Sequence, residues 1–185
     1  MTNQKSPLAG KRVAILATDG VEQSELVGPR EALDAAGAET VLISPKKENI
    51  QAFQHHDKAD RLQVDLELSR ADASAFDALL LPGGALNPDS LRTAPKAVAF
   101  VKAFAEAGKS IAAICHGPWL LVEADLVGGR TVTSWPSIQT DLKNAGANWV
   151  DQEVVVDHGL ITSRKPADIP AFSRTAIEEF ARQSH

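Results

Sequence analysis

Ile111-Ala112-Ala113-Ile114-Cys115-His116-Gly117-Pro118-Trp119-Leu120-Leu121-Val122 decides the fold. Its first four residues are a continuous apolar run, the pattern of a β-strand buried on both faces in a parallel sheet. Cys115-His116-Gly117 then turns the chain. Pro118 suits the first turn of a helix, where its missing N–H would have had no partner, and an apolar helix runs on through Val122. Strand, sharp turn and helix, with a nucleophilic residue at the turn, make a nucleophile elbow in which cysteine stands where hydrolases place serine. Small neighbours at Ala113 and Gly117 relieve crowding in such a turn.

The same alternation extends in both directions. Val13-Ala14-Ile15-Leu16 reads as a buried strand, Thr18-Asp19-Gly20 as a turn, and a helical pattern runs towards Ala36 with Gly37 as its stop. Thr40-Val41-Leu42-Ile43 is a second strand, ended by Ser44-Pro45. Residues 46–70 are polar and carry Gln63-Val64-Asp65-Leu66, an excursion before the next strand of the sheet. Ala78-Leu79-Leu80-Leu81 leads into Pro82-Gly83-Gly84, and a helix follows over about residues 95–107. Near the end, Val154-Val155-Val156 and Leu160-Ile161-Thr162 flank Asp157-His158-Gly159 as a hairpin, and residues 167–182 form a closing helix. Strands alternating with helices predict an α/β fold with a largely parallel sheet. No repeat, linker or boundary interrupts the chain, so residues 1–185 are expected as one domain behind a polar tail, 1–10. Ligands of such sheets bind at the carboxyl ends of strands near a topological switch, which directs attention to the ends after Leu16, Leu81 and Ile114.

Composition narrows the function classes. The chain has 185 residues, 44% hydrophobic and 23% charged, which excludes a disordered or low-complexity protein. A net charge of −5 disfavours a dedicated nucleic-acid binder. One cysteine allows neither an internal disulfide nor a Cys-pair zinc site. No run approaches the roughly 20 apolar residues of a membrane span, and the first residues lack a signal-peptide pattern, so a cytoplasmic location is expected. No dinucleotide fingerprint or phosphate-binding loop is present, and neither cofactor nor metal is expected.

Cys115 is the leading catalytic candidate, because a thiolate at a helix N-terminus is stabilised and reactive. His116 can serve as acid or base near neutral pH, although neighbours in a regular element point apart and only the turn geometry brings both to one substrate. Gly83 and Gly84 let backbone N–H groups face an oxyanion. Glu22 and Glu25 follow the first strand end. Glu22 reads as a solvated acid favouring a helix N-terminus, and spacing alone does not select Glu25. His55-His56-Asp57 reads as polar loop and His158 as a hairpin residue. Trp119, Trp135 and Trp149 read as core or interface aromatics rather than a base-stacking platform.

Taken together, these segments resemble the PfpI family, in the superfamily that includes a parkinsonism-associated deglycase and chaperone. The likeness rests on Val21-Glu22-Gln23-Ser24-Glu25-Leu26 with Pro29, Leu81-Pro82-Gly83-Gly84 with Pro88-Asp89, and Ala113-Ile114-Cys115-His116-Gly117-Pro118. Lys143-Asn144-Ala145-Gly146-Ala147, Asp151-Gln152-Glu153-Val154-Val155-Val156-Asp157 and Thr162-Ser163-Arg164-Lys165-Pro166 extend it to roughly residues 11–183. The bacterial general-stress-protein branch is the most similar. The resemblance implies a flavodoxin-like, three-layer α/β/α sandwich and a homodimer, sometimes stacked into hexamers, with an active site shared between subunits. It implies Cys115 as nucleophile, Glu25 as the carboxyl group bonded to its sulfur, and His116 as partner imidazole. Asp89 would orient that imidazole from the neighbouring subunit, where some relatives have glutamate. The N–H groups of Gly84 and His116 would form the oxyanion hole, with Gly83, Gly117 and Trp135 among the substrate-binding positions.

Three activities go with that resemblance: a peptidase, a glutathione-independent glyoxalase making lactate from methylglyoxal, and a deglycase repairing methylglyoxal adducts. The related glutamine amidotransferases need a late His-x-Glu, whereas His158 is followed by Gly159 and Leu160. The leading expectation is a Cys115-dependent enzyme acting on methylglyoxal or its protein adducts in stress defence. The alternatives are an intracellular cysteine peptidase and a redox-sensing chaperone in which Cys115 is oxidised.

Overall fold

The computed structural model describes residues 6–183. In chain order, its elements begin with β1 (Arg12–Leu16), β2 (Val21–Glu22), α1 (Gln23–Ala35) and β3 (Glu39–Ser44). A hairpin of β4 (Asn49–Gln54) and β5 (Asp57–Gln63) follows, then the short β6 (Leu66–Glu67). Next come β7 (Ala78–Leu81), α2 (Leu86–Leu91), α3 (Pro95–Glu106), β8 (Ser110–Ile114) and α4 (Pro118–Glu123). The last part holds β9 (Thr131–Val132), α5 (Gln139–Asn144), β10 (Asn148–Trp149), β11 (Val154–Asp157), β12 (Leu160–Ser163) and α6 (Ile169–Arg182).

The main sheet has the order β11-β12-β8-β7-β1-β3-β6, parallel throughout except for the β11–β12 edge pair. From β1 the chain builds outward to β3 and β6, then returns to the other side of β1 for β7, β8 and β12. The reversal between β1 and β7 opens a crevice at their carboxyl ends, the place where α/β sheets bind ligands. Helices cover both faces, giving the expected flavodoxin-like α/β sandwich. Val13, Ile15, Leu80 and Ile114 pack with Leu26 and Leu33 of α1 and with Phe172 and Phe180 of α6. Their sequence neighbours Ala14, Leu16, Leu81 and Ala113 pack with Phe100 and Phe104 of α3, Leu120 of α4 and Leu142 of α5. A strand covered on both faces has no polar side to present, hence the unbroken apolar runs. Each fully buried leucine or phenylalanine contributes roughly 2 kcal/mol.

Two expectations change. Within the tail expected over 1–10, Leu8 is fully buried and its N–H bonds Ala36 O at 2.9 Å; residues 1–5 lie outside the described residues. The polar stretch 46–70 is more than an excursion. β4 pairs antiparallel with β5 and parallel with β2, through Val21↔Ala52 and Glu22↔Phe53, to make a second small sheet beside the end of β1. The β11–β12 hairpin closes as read, with His158 at φ 46° and Gly159 at φ 82°, the left-handed pair of a type I′ turn.

Candidate active site

The elbow forms as its sequence dictates. Cys115 adopts φ 63°, a left-handed conformation that costs a residue carrying a Cβ and is held only where surrounding bonds over-determine it. Those bonds are present: the Cys115 N–H donates to Ser163 O (3.1 Å), Cys115 O accepts the Trp135 N–H (2.9 Å), and the Gly117 N–H closes on Ile114 O (2.9 Å). The reversed twist brings adjacent side chains together, with Cys115 Sγ 3.3 Å from His116 Nδ1. Neighbours that would diverge in a regular strand or helix here make direct contact.

The loop after β7 lies against the sulfur. A Cβ on Gly83 would sit 2.5 Å from Glu25 Oε1 and 2.7 Å from Cys115 Cβ, so only glycine lets the loop pass. Gly84 at φ 80° turns back over Gly20 and Glu22. The Gly83 N–H donates to Glu25 Oε1 at 3.1 Å, and the N–H groups of Gly84 and His116 face the sulfur. This loop is fixed by a residue the sequence reading passed over, the fully buried Asn87. Asn87 Nδ2 donates to Pro82 O (3.1 Å) and Gly83 O (3.0 Å), while its Oδ1 accepts the Thr18 N–H (2.7 Å). One amide thereby joins the ends of β1 and β7. A buried asparagine in a helix first turn gave no sequence signal beyond its polarity.

Glu25, in the first turn of α1, is fully buried. Burial, and then the negative charge of Glu22, push its carboxyl up to about 8 against hydrogen bonds from Cys115, Gly83 and Gly84. At neutral pH Glu25 keeps its proton. Oε1 accepts the Gly83 N–H, while the buried Oε2 has no hydrogen-bond partner of regular geometry. Burial also pushes the Cys115 thiol up, as does negative charge on Glu25, while the N–H groups of Gly84 and His116 act the other way. The sequence expectation of a thiol lowered by the helix N-terminus is therefore corrected: α4 has six residues, and desolvating a thiolate outweighs the field of so short a helix. A protonated Glu25 removes its own charge from that balance and offers the sulfur a donor.

His116 is half-buried, which pulls its imidazole below the ordinary value and keeps it neutral. Its ring stacks on Trp135 at 6.0 Å and meets the edge of Trp119 at 5.1 Å. Trp135 is 37% exposed and lines the pocket. Trp119 and Trp149 are tied into the framework through Asp141 (2.9 Å) and Ser134 (2.9 Å). Asp89 lies exposed in α2, and its carboxylate makes no hydrogen bond or ion pair among the described residues, so one chain alone does not orient His116 with it.

Cys115, His116, Glu25, Gly84 and Trp135 line one cavity of about 440 Å³. Three further side chains line it that sequence reasoning had set aside: Glu22, His55 and His56. Glu22 is not a solvated acid. It is buried, and both its oxygens accept the His55 N–H, at 3.2 and 3.1 Å. His55 and His56 form the tip of the β4–β5 hairpin, brought to the pocket by the pairing of β4 with β2.

A sequence model of the DJ-1/PfpI family matches residues 11–179. The chain belongs to the DJ-1/PfpI family. Among its relatives, protein/nucleic acid deglycase 2 of Escherichia coli (strain K12) is 42% identical over 168 residues, spanning 90% of this chain and 96% of the relative. Two proteins of Bacillus subtilis (strain 168) are each 43% identical and are covered over 96% of their length: general stress protein 18 and YraA, the latter named as a candidate cysteine protease. They align with 91% and 90% of this chain. Among solved structures, Drosophila melanogaster DJ-1beta superposes with a TM-score of 0.85 at 27% identity, covering 94% of this chain and 91% of that one. The DJ-1/PfpI fold thus accounts for the sheet order and for the crevice in which Cys115 sits.

Proposed function

We propose that this chain is a cysteine-dependent stress-response enzyme acting on methylglyoxal or on protein groups freshly glycated by it. The observation that carries the reading is the placement of Cys115 Sγ, 3.3 Å from a neutral imidazole and beside a carboxyl that holds its proton to about 8. That pairing suits attack on a carbonyl carbon: the sulfur bonds to the aldehyde carbon while its oxygen takes a proton, giving a hemithioacetal. His116 then carries the C1 hydrogen to C2 as a proton, and the C1 hydroxyl proton ends on the C2 oxygen. Water cleaves the resulting thioester, releasing lactate and restoring the thiol, so the sum is methylglyoxal plus water with no oxidant or reductant. From an amine adduct the same sequence begins with the sulfur displacing the amine, which leaves with a proton. N–H groups of Gly84 and His116 stabilise the negative oxygen or sulfur along the way. Five heavy atoms of methylglyoxal occupy on the order of 100 Å³ at liquid-like density. A cavity of about 440 Å³ leaves room for the side chain that bears an adduct, which favours the glycated group as substrate. The relatives named deglycase and general stress protein support the same assignment.

Lactate release from methylglyoxal, and amine release from a freshly glycated lysine derivative, are measured without glutathione for wild type and Cys115→Ala. Both are expected from wild type alone; either one at the wild-type rate from Cys115→Ala refutes the reading.

The second reading, a cysteine peptidase, draws on the Cys115–His116 contact and on the name of YraA. It requires a homodimer in which the partner subunit's Asp89 orients His116. Cleavage of a peptide substrate that is lost in both Cys115→Ala and Asp89→Ala would favour it.

A further inference from the structure

Across the pocket from its chain neighbours, the hairpin tip presents a second imidazole whose placement is specific. His55 adopts φ 58°, the left-handed region, which histidine enters more readily than most residues carrying a Cβ. Its N–H is gripped by both oxygens of Glu22, and its Nδ1 lies 3.8 Å from Glu22 Oε1, close enough to feel the charge and too long for a hydrogen bond. The Glu22 carboxylate is only 11% exposed, whereas the His55 ring is 77% exposed and lines the same cavity as Cys115 and His116. Among the described residues, Nε2 of His55 has no partner. Glu22 thus anchors the backbone of the hairpin tip, and the ring it holds at the cavity keeps an unpartnered nitrogen with which to exchange a proton with a bound substrate. His116 comes from the elbow and His55 from a separate sheet, so one small substrate can be met by two imidazoles from two elements.

We propose that His55 is a catalytic residue of the carbonyl chemistry at Cys115, exchanging a proton with the substrate's C2 oxygen, and that Glu22 is the residue that positions it. The proposal rests on the methylglyoxal reading above. In the isomerisation, His116 takes the C1 hydrogen as a proton while His55 gives one to the C2 oxygen, forming the enediol. His116 then returns its proton to C2, and the C1 hydroxyl proton restores His55 as the thioester forms. No proton is gained or lost overall, and no co-reactant is needed.

The left-handed backbone supplies an unusually clean test. His55→Gly removes the ring while suiting φ 58° better than histidine does, and it keeps the N–H that Glu22 holds. Glu22→Gln keeps an acceptor for that N–H and removes the charge. Lactate kinetics are measured for wild type, both variants and His55→Asn, which also tolerates the left-handed region and covers the case in which the glycine variant fails to fold. The expected result is kcat down about a hundredfold in His55→Gly, the lower end of general acid–base contributions, with KM within about twofold. Imidazole added to His55→Gly restores part of the rate, and Glu22→Gln falls between the variant and wild type. A kcat for His55→Gly equal to wild type overturns the proposal and leaves the methylglyoxal reading intact. A loss that imidazole does not relieve also overturns it, since a structural role alone would behave so. Absence of lactate from wild type itself overturns both.

Discussion

Replacing Glu25 by glutamine tests the electrostatics of the site through stability as a function of pH. In the unfolded chain this carboxyl titrates near 4.5, whereas in the folded protein burial and the Glu22 charge carry it to about 8. Between those two values the unfolded state has released the proton and the folded state still holds it. Stability contributed at this position is therefore greatest below about pH 4.5, falls through the interval as pH rises, and levels off above about 8. At about 1.4 kcal/mol per pH unit, the whole interval amounts to on the order of 5 kcal/mol. Glutamine keeps the shape and an oxygen for the Gly83 N–H but has no proton to lose. Urea unfolding of wild type and Glu25→Gln, at one protein concentration from pH 5 to 8.5, isolates the effect, because titration of other groups cancels in the difference. The variant is expected to match wild type near pH 5 and to become progressively more stable relative to it, by several kcal/mol at pH 8.5. A difference that stays flat would mean that Glu25 is already ionised in the folded protein at neutral pH. The Glu25 carboxyl as a proton donor to the sulfur would then be untenable.

Other outcomes follow from the same geometry. Gly83→Ala forces a methyl to 2.7 Å from Cys115 Cβ and 2.8 Å from Ile114 O, so it is expected to cost about 1–3 kcal/mol and most of the Cys115-dependent activity; thermal unfolding and lactate assays check both. Asn87→Ala strands the Thr18 N–H and frees the Pro82 and Gly83 carbonyls, with an expected loss of about 2–4 kcal/mol by denaturant unfolding. The same variant is expected to lower kcat, as the loop carrying the Gly84 N–H loses its tie to β1. The pH–rate profile should show an acid limb below 6.5, since burial keeps His116 neutral to lower pH, and a basic limb near 8 that disappears in Glu25→Gln. Profiles with both limbs unchanged in that variant would detach Glu25 from the chemistry.

The parts of the molecule legible in the sequence are those where one physical rule dominates. β1, β7 and β8 lie between two helical layers, so the chain spells them as unbroken apolar runs. The elbow is legible because a sharp strand-to-helix turn admits few residues beside a nucleophile, and His158-Gly159 because a two-residue hairpin needs two left-handed positions. The β4–β5 hairpin was not legible as structure: one face is exposed, and the alternation of buried Ile50 and Ala52 with polar neighbours is only a few residues long. Its consequence, His55 and His56 at the pocket, depends on a two-residue pairing of β4 with β2 that no local pattern announces. The same pairing buries Glu22, which any propensity argument assigns to solvent. The direction of the thiol shift was missed for a related reason, as burial depends on the loops packed over a helix end and not on the helix itself.

The most direct measurement exploits the single cysteine of the chain. Limited reaction of the native protein with iodoacetamide blocks Cys115 Sγ, with the labelled fraction read by intact-mass spectrometry and lactate formation assayed on the same samples. If the sulfur in the elbow is the reacting atom, activity falls in proportion to the fraction blocked and vanishes at one label per chain. Full activity in completely labelled protein would place the chemistry elsewhere.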